Sequence, residues 1–142
     1  MKIFLDTSSL IKLYHSEKGT ENMDKLFDDF VIEEIYLSDV SKVEFNSAIW
    51  KKVRTKELTV DEANELIKSF EKDYKNYIFV EVGPEIIDNA GGLVTKYGHK
   101  GLRTLDSIQL ATSLKVKSEI SFASTADVLL KSIMVLEGIK TK

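Results

Sequence analysis

The chain has no cysteine, a single proline (Pro84), a single tryptophan (Trp50) and two histidines (His15 and His99) among 142 residues. Without cysteine there is no disulfide framework, thiol nucleophile, zinc ribbon or iron–sulfur ligation. Two histidines are too few for a histidine-rich metal site, and both fall in polar loop surroundings. His15 sits among Tyr14, Ser16, Glu17 and Lys18, and His99 lies between Gly98 and Gly101. A Ser/His/Asp triad would have to recruit one of them. No glycine-rich dinucleotide fingerprint and no phosphate-cradling P-loop is present. Apolar runs fall far short of the roughly 20 residues of a membrane span. Ahead of Asp6 only Ile3, Phe4 and Leu5 run together, too few for the core of a signal peptide. The cytoplasm is therefore the expected location.

What remains is an ordinary globular composition, with 43% hydrophobic and 30% charged residues. No linker, repeat or low-complexity tract interrupts it, so residues 1–142 are expected to form a single domain. The formal charge of −3 argues against a broad nucleic-acid-binding surface. That argument weakens if several acids are gathered in one site, and their placement becomes the question.

Hydrophobic periodicity predicts alternating strands and helices. Lys2 to Asp6 reads as a buried strand, Thr7 to Tyr14 and Thr20 to Phe30 as helices, and Val31 to Leu37 as a strand. Ser38 is expected to cap a helix from Asp39 to about Arg54. Thr59-Val60-Asp61-Glu62 has the pattern of a capping box and opens a helix to about Lys75. Tyr77 to Val82 is rich in β-branched and aromatic residues, as strands are. Pro84 suits the first turn of a helix ending near Gly98. Thr104 is expected to cap a helix to about Lys117, Ile120 to Ala123 to form a strand, and Thr125 to Leu136 to form the last helix before Gly138. Strands separated by helices imply an α/β fold, a three-layer α/β/α sandwich around a mostly parallel sheet. Ligands of such sheets bind beyond the carboxyl ends of the strands.

Four carboxylates fall at that rim. Asp6 ends the first strand, where it could equally serve as a helix N-cap. Glu44 shares a helix face with Val40, Ser47 and Ala48, beside Val43, the stripe expected to face the core. A buried glutamate needs either a basic partner or a cation, and both readings are open. Asp106 and Asp127 each stand in the first turn of a helix, where complementing the helix dipole would suffice to explain either alone. Together the four can reach one edge of one sheet. Carboxylates so crowded would protonate unless a cation held them, and an all-oxygen set suits Mg²⁺ or Mn²⁺. Such an ion can polarise a phosphodiester and activate water.

These positions with their flanks resemble the PIN-domain nucleases, and within them the VapC-type ribonuclease toxins of type II toxin–antitoxin pairs. The resemblance is carried by Phe4 to Tyr14, Ser41 to Ala48, Leu102 to Thr112 and Phe122 to Asp127, in order along nearly the whole chain. It implies that Asp6, Glu44, Asp106 and Asp127 are the catalytic and metal-binding acids. Asp6 and Asp106 would be the firmest ligands, and Asp127 would act mainly through a water. It further implies that Ser8 and Thr125 support the first and last acids. A metal-dependent endoribonuclease, a homodimer and a small antitoxin partner follow from the same resemblance. Val128 departs from it, standing where these proteins often carry a basic residue.

Setting the four acids aside leaves the rest of the chain at +1, which is compatible with an RNA substrate. Lys51, Lys52 and Arg54 follow Glu44 on its helix, and His99, Lys100 and Arg103 precede Asp106. Both groups are candidate phosphate contacts, although lysines at a helix end also answer its dipole. Arg103 is the preferred contact because a guanidinium grips phosphate bidentately. The apolar stripe of Val60, Ala63, Leu66, Ile67 and Phe70 could pack internally or form a dimer or antitoxin surface. Two rivals fail on residues: a phosphate-accepting receiver needs adjacent acids where Thr7 and Ser8 stand, and an Asp-x-Asp phosphatase needs an acid at Ser8. The remaining rival is a PIN-like module that binds RNA or protein without cleaving.

Overall fold

Four short strands lie side by side, all parallel, in the order β3-β2-β1-β4. A computed structural model describes residues 1–142. The chain runs β1 (Lys2–Leu5), α1 (Thr7–Ile11), α2 (Thr20–Asp29), β2 (Glu34–Ser38), α3 (Ser41–Arg54), α4 (Val60–Asp73), β3 (Tyr77–Val80), α5 (Pro84–Tyr97), α6 (Thr104–Lys115), β4 (Phe122–Ser124) and α7 (Val128–Leu136). Parallel neighbours cannot be joined by hairpins, so every connection crosses a face of the sheet through helix.

Alternation along the strands sorts the core into two layers. Ile3, Leu5, Leu37 and Phe122 point to one face and pack with Leu10, Met23, Phe45, Ile49 and Phe70 of α1 to α4. Phe4, Tyr36 and Ala123 point to the other and pack with Ile86, Leu93, Leu110, Ile133 and Met134 of α5 to α7. The three-layer α/β/α architecture read from the sequence is the one found. No helix is long and apolar enough to cross a membrane.

Several boundaries differ from the sequence reading, each for a local reason. The first helix closes at Ile11, and Leu13 and Tyr14 continue as tight turns with their amides bonded three residues back. The Tyr14 hydroxyl is then drawn to Tyr77 and Asp73, 2.7 and 2.8 Å away. The second strand begins at Glu34 rather than Val31, and its register with β1 starts at the Lys2–Glu34 pair. Ahead of that pair Met1 alone reaches across, donating to the Val31 carbonyl at 2.6 Å and accepting from the Glu33 amide at 2.8 Å. Val31 is left 82% exposed. After β2 the Ser38 hydroxyl accepts from the Val40 amide at 3.3 Å, and α3 starts two residues later than expected. Its core face is Ser41, Phe45 and Ile49, and Val43 is exposed. Glu44 thus stands on the flank of α3, not in its buried stripe.

Arg103, not Thr104, occupies the N-cap of α6, and it makes no side-chain cap bond. The last helix begins at Val128, with Asp127 as its N-cap. Other signals act as read: Thr59 and Glu62 form the reciprocal capping box of α4, and Pro84 opens α5. Gly91 and Gly92 do not break α5; no atom outside the helix comes within 4 Å of where their side chains would start.

The strand order fixes where a ligand can enter. From β1 the chain moves outward through β2 to β3, then returns to lay β4 on the opposite side of β1. The direction reverses between β1 and β4, and the crevice beyond their carboxyl ends is the binding position this topology provides.

Candidate functional site

Asp6 leaves β1 at that crevice and caps α1. Its amide still reaches across to β4, donating to the Ser124 carbonyl at 3.2 Å, so the carboxylate stands rigidly between two strands. Oδ1 accepts from the Ser9 amide at 3.0 Å and the Ser8 hydroxyl at 2.7 Å. Oδ2 accepts from the Thr125 hydroxyl at 2.6 Å. Only 4% of Asp6 is exposed. Burial pushes its carboxyl up to about 6 from 3.8, against the lowering effect of Thr125, Ser9 and Ser8, and the charge of Glu44 adds to the rise.

Thr125 ties Asp6 to Asp127, because the Asp127 amide donates to the same threonine oxygen at 3.0 Å. The Asp127 carboxylate itself accepts from the Leu130 amide at 2.8 Å. Ser8 makes a second tie, accepting from the Ala126 amide at 3.0 Å. Both hydroxyl residues singled out in the sequence therefore lie against Asp6.

Glu44 is held from the other side. Its Oε1 accepts from Gln109 Nε2 at 2.8 Å and from the Thr7 hydroxyl at 3.2 Å. Gln109 also reaches Thr7 and Ser41, at 3.0 and 3.1 Å. Burial raises the Glu44 carboxyl above its ordinary value and the charge of Asp106 raises it further, while Gln109 and Thr7 oppose the rise. Asp106 is raised likewise, by burial first and then by Asp127, with Arg103 acting against. Repulsion thus links Asp6 to Glu44, Glu44 to Asp106, and Asp106 to Asp127 in one electrostatic unit.

None of the four acids is in a salt bridge; all seven ion pairs of the molecule lie elsewhere. The basic partner that would have explained Glu44 structurally is absent, and an amide and a hydroxyl take its place. No three of the carboxylates are gathered at ligating distance. The all-oxygen donor set is the kind a small hard cation takes. Mg²⁺ is usually bound by one or two carboxylates directly and keeps several waters, through which further acids act.

The residues expected to touch RNA divide. Arg103 is exposed at the start of α6, near enough to Asp106 to lower its proton affinity. Lys51, Lys52 and Arg54 are not brought to the crevice: Lys52 lies roughly 12 Å beyond Glu44 along the helix axis at 1.5 Å per residue. Lys52 is also engaged by Glu17 at 2.6 Å and Glu57 at 3.4 Å.

A family model described as the PIN domain matches residues 3–133. The chain belongs to the PIN domain family. No curated protein matches it. Solved structures do, at identities that speak to fold. Over 92% of this PIN domain and 94% of its counterpart, it matches VapC20 of Mycobacterium tuberculosis, described as a sarcin-ricin loop cleaving toxin, with TM-score 0.71 and 14% identity. FitAcB of Neisseria gonorrhoeae matches with TM-score 0.72 and 14% identity, over 98% and 95% of the two chains. A toxin–antitoxin complex from Klebsiella pneumoniae matches with TM-score 0.62 and 14% identity, over 88% and 86%.

Gln109, Thr7 and Ser41 escaped the sequence reading, though they form the cradle of Glu44. A signal for Gln109 existed. It is an amide between Ile108 and Leu110 in a helix whose buried positions also include Ser107, Thr112 and Ser113. Buried polar residues on so many sides of one helix mark a network rather than a plain core face. The Gln109 Oε1 atom is buried without a partner.

Proposed function

We propose that this PIN domain is a Mg²⁺- or Mn²⁺-dependent endoribonuclease, and that it acts as the toxin of a toxin–antitoxin pair. One observation supports the reading: like-charge repulsion runs from Asp6 to Glu44, Asp106 and Asp127 near the switch-point crevice, and none of the four is in a salt bridge. Such an arrangement costs stability unless a cation is its normal occupant.

In this reading Asp6 and Asp106 hold the ion, with Glu44 and Asp127 completing the negative field, Asp127 by way of a water. A divalent ion there supplies polarisation of the phosphodiester and a hydroxide equivalent near neutral pH. Ser8, the Ser9 amide and Thr125 fix both Asp6 oxygens, so the carboxylate need not reorganise when substrate arrives. Gln109 and Thr7 do the same for Glu44. Arg103 receives a phosphate at the mouth. The description of VapC20 as a cleaving toxin supports RNA as substrate, and the Klebsiella complex supports an antitoxin partner. Self-association as a homodimer completes the proposal.

Purified protein incubated with RNA should cleave it with Mg²⁺ or Mn²⁺ and stop with EDTA. The Asp106→Asn variant should lose cleavage while keeping its fold. Equal cleavage in EDTA, or by Asp106→Asn, overturns the reading, and intact binding without cleavage in the wild type would establish the non-cleaving module instead.

A further inference from the structure

Behind the carboxylate crevice lies a second depression, about 570 Å³ in volume, between α1, the start of α2 and the start of α7. Lys12, Lys18, Lys131 and Lys142 line it and no Asp or Glu does, in a chain whose acids outnumber its bases 23 to 20. Ser9, Ser124 and Thr125 also line its wall, with the Ser9 and Ser124 hydroxyls paired to each other at 3.2 Å. Thr125 is shared with the crevice, since its hydroxyl is the one bonded to Asp6.

The four lysines do different work. Lys12 is committed to the fold: its ammonium donates to Glu17 and to the Lys18 carbonyl, both at 2.9 Å. It packs beneath Gly19, where the backbone takes φ +92 and a side chain would start 3.2 Å from the Lys12 stem. That packing holds the turn from which Lys18 projects. Lys18, Lys131 and Lys142 are exposed and in no salt bridge, and Lys142 rests its ammonium over the Phe30 ring at 4.2 Å. The apolar residues beneath, Met23 and Leu26, are 4% and 7% exposed. Val128, 85% exposed, adds apolar surface at one edge, but exposed lysines with no acid among the lining residues suit phosphate oxygens.

We propose that this groove is the track for the substrate backbone, with Lys18 and Lys131 gripping phosphates of a single strand that passes Thr125 into the crevice. The proposal rests on RNA being the substrate. Lys142 secures the outer wall over Phe30.

The test is binding of a short fluorescein-labelled oligouridylate, followed by anisotropy in EDTA across roughly 50 to 200 mM salt. Each released phosphate contact lowers the slope of log affinity against log salt by about 0.7 for single strands. The Lys18→Ala/Lys131→Ala double variant should therefore lose about 1.4 from that slope, making the affinity drop over this range about sevenfold smaller. Lys68→Ala/Lys72→Ala removes the same charge from exposed positions on α4 and should leave the slope nearly unchanged. Wild-type binding with an unaltered slope in the groove variant overturns the groove alone. Equal losses in both variants would assign the effect to net charge and also overturn it. Tighter, groove-dependent binding of a poly-glutamate peptide would overturn the RNA assignment in favour of an acidic protein. A wild type that binds no oligouridylate at any salt would remove the RNA reading itself.

Discussion

Asparagine at position 6 should make the protein more stable and useless. At neutral pH without a divalent ion, Asp6 carries its charge in a nearly sealed position. The carboxyl lies at about 6 in the fold against 3.8 in the ordinary case. A raised carboxyl favours the folded state fully below pH 4, where both states are protonated, and that contribution is lost as pH climbs to 6. The difference is worth about 3 kcal/mol, at 1.36 kcal/mol for each tenfold change in proton affinity. Asp6→Asn removes the charge and keeps an oxygen for the Ser9 amide and the Ser8 hydroxyl. Its new NH₂ must be accepted by Thr125, which already takes the Asp127 amide, and that rearrangement costs about 1 kcal/mol. Urea denaturation in EDTA at pH 7.5 should then find Asp6→Asn more stable by about 2 kcal/mol, with the advantage gone at pH 4. Mn²⁺ should stabilise the wild type by mass action and leave the variant where it was. A variant less stable than wild type at pH 7.5, or an advantage that ignores pH, would refute the claim that the buried charge is held in readiness for a cation.

Two further outcomes test the supports of the site and the fold. Gln109→Leu keeps the volume but strips Glu44 of its amide donor, so cleavage should fall by about 10- to 100-fold, the usual effect of losing a ligand's own support. Its stability should fall by only about 1–2 kcal/mol, because Thr7 and Ser41, 3.1 Å apart, can pair with each other. Full activity in that variant would show that Glu44 needs no holder. Lys56 sits just past α3 with φ 63, a conformation that strains any residue with a Cβ. Lys56→Gly should raise the urea midpoint by the equivalent of about 0.5–1 kcal/mol without touching cleavage, and a lowered midpoint would count against the strain.

Much of this was legible in the chain because local chemistry and tertiary context agree. Strand-ending Asp6, the Thr59–Glu62 box and Pro84 sit where their own preferences put them, and the alternation of strand and helix leaves few topologies. Glu44 was read onto the buried face of α3 because Val40 and Val43 are apolar. The helix instead turns Phe45 and Ile49 to the sheet, since those larger side chains bury more area, and leaves Val43 in water. Thr104 looked like a cap, but the chain enters α6 one residue earlier through Arg103. The lysine groove was invisible for a different reason. Lys18 and Lys131 belong to segments more than a hundred residues apart, and only the seating of β4 beside β1 joins them. Lys51, Lys52 and Arg54 made a tempting cluster by adjacency alone, yet a straight helix carries them away from the crevice.

The central claim is that four acids form one cation site, and Mn²⁺ titration followed by electron paramagnetic resonance addresses it without reference to any substrate. Wild-type protein should take up Mn²⁺, and Asp6→Asn and Asp106→Asn should each weaken uptake at least about tenfold. Uptake that is absent in the wild type, or equal in all three proteins, would contradict it.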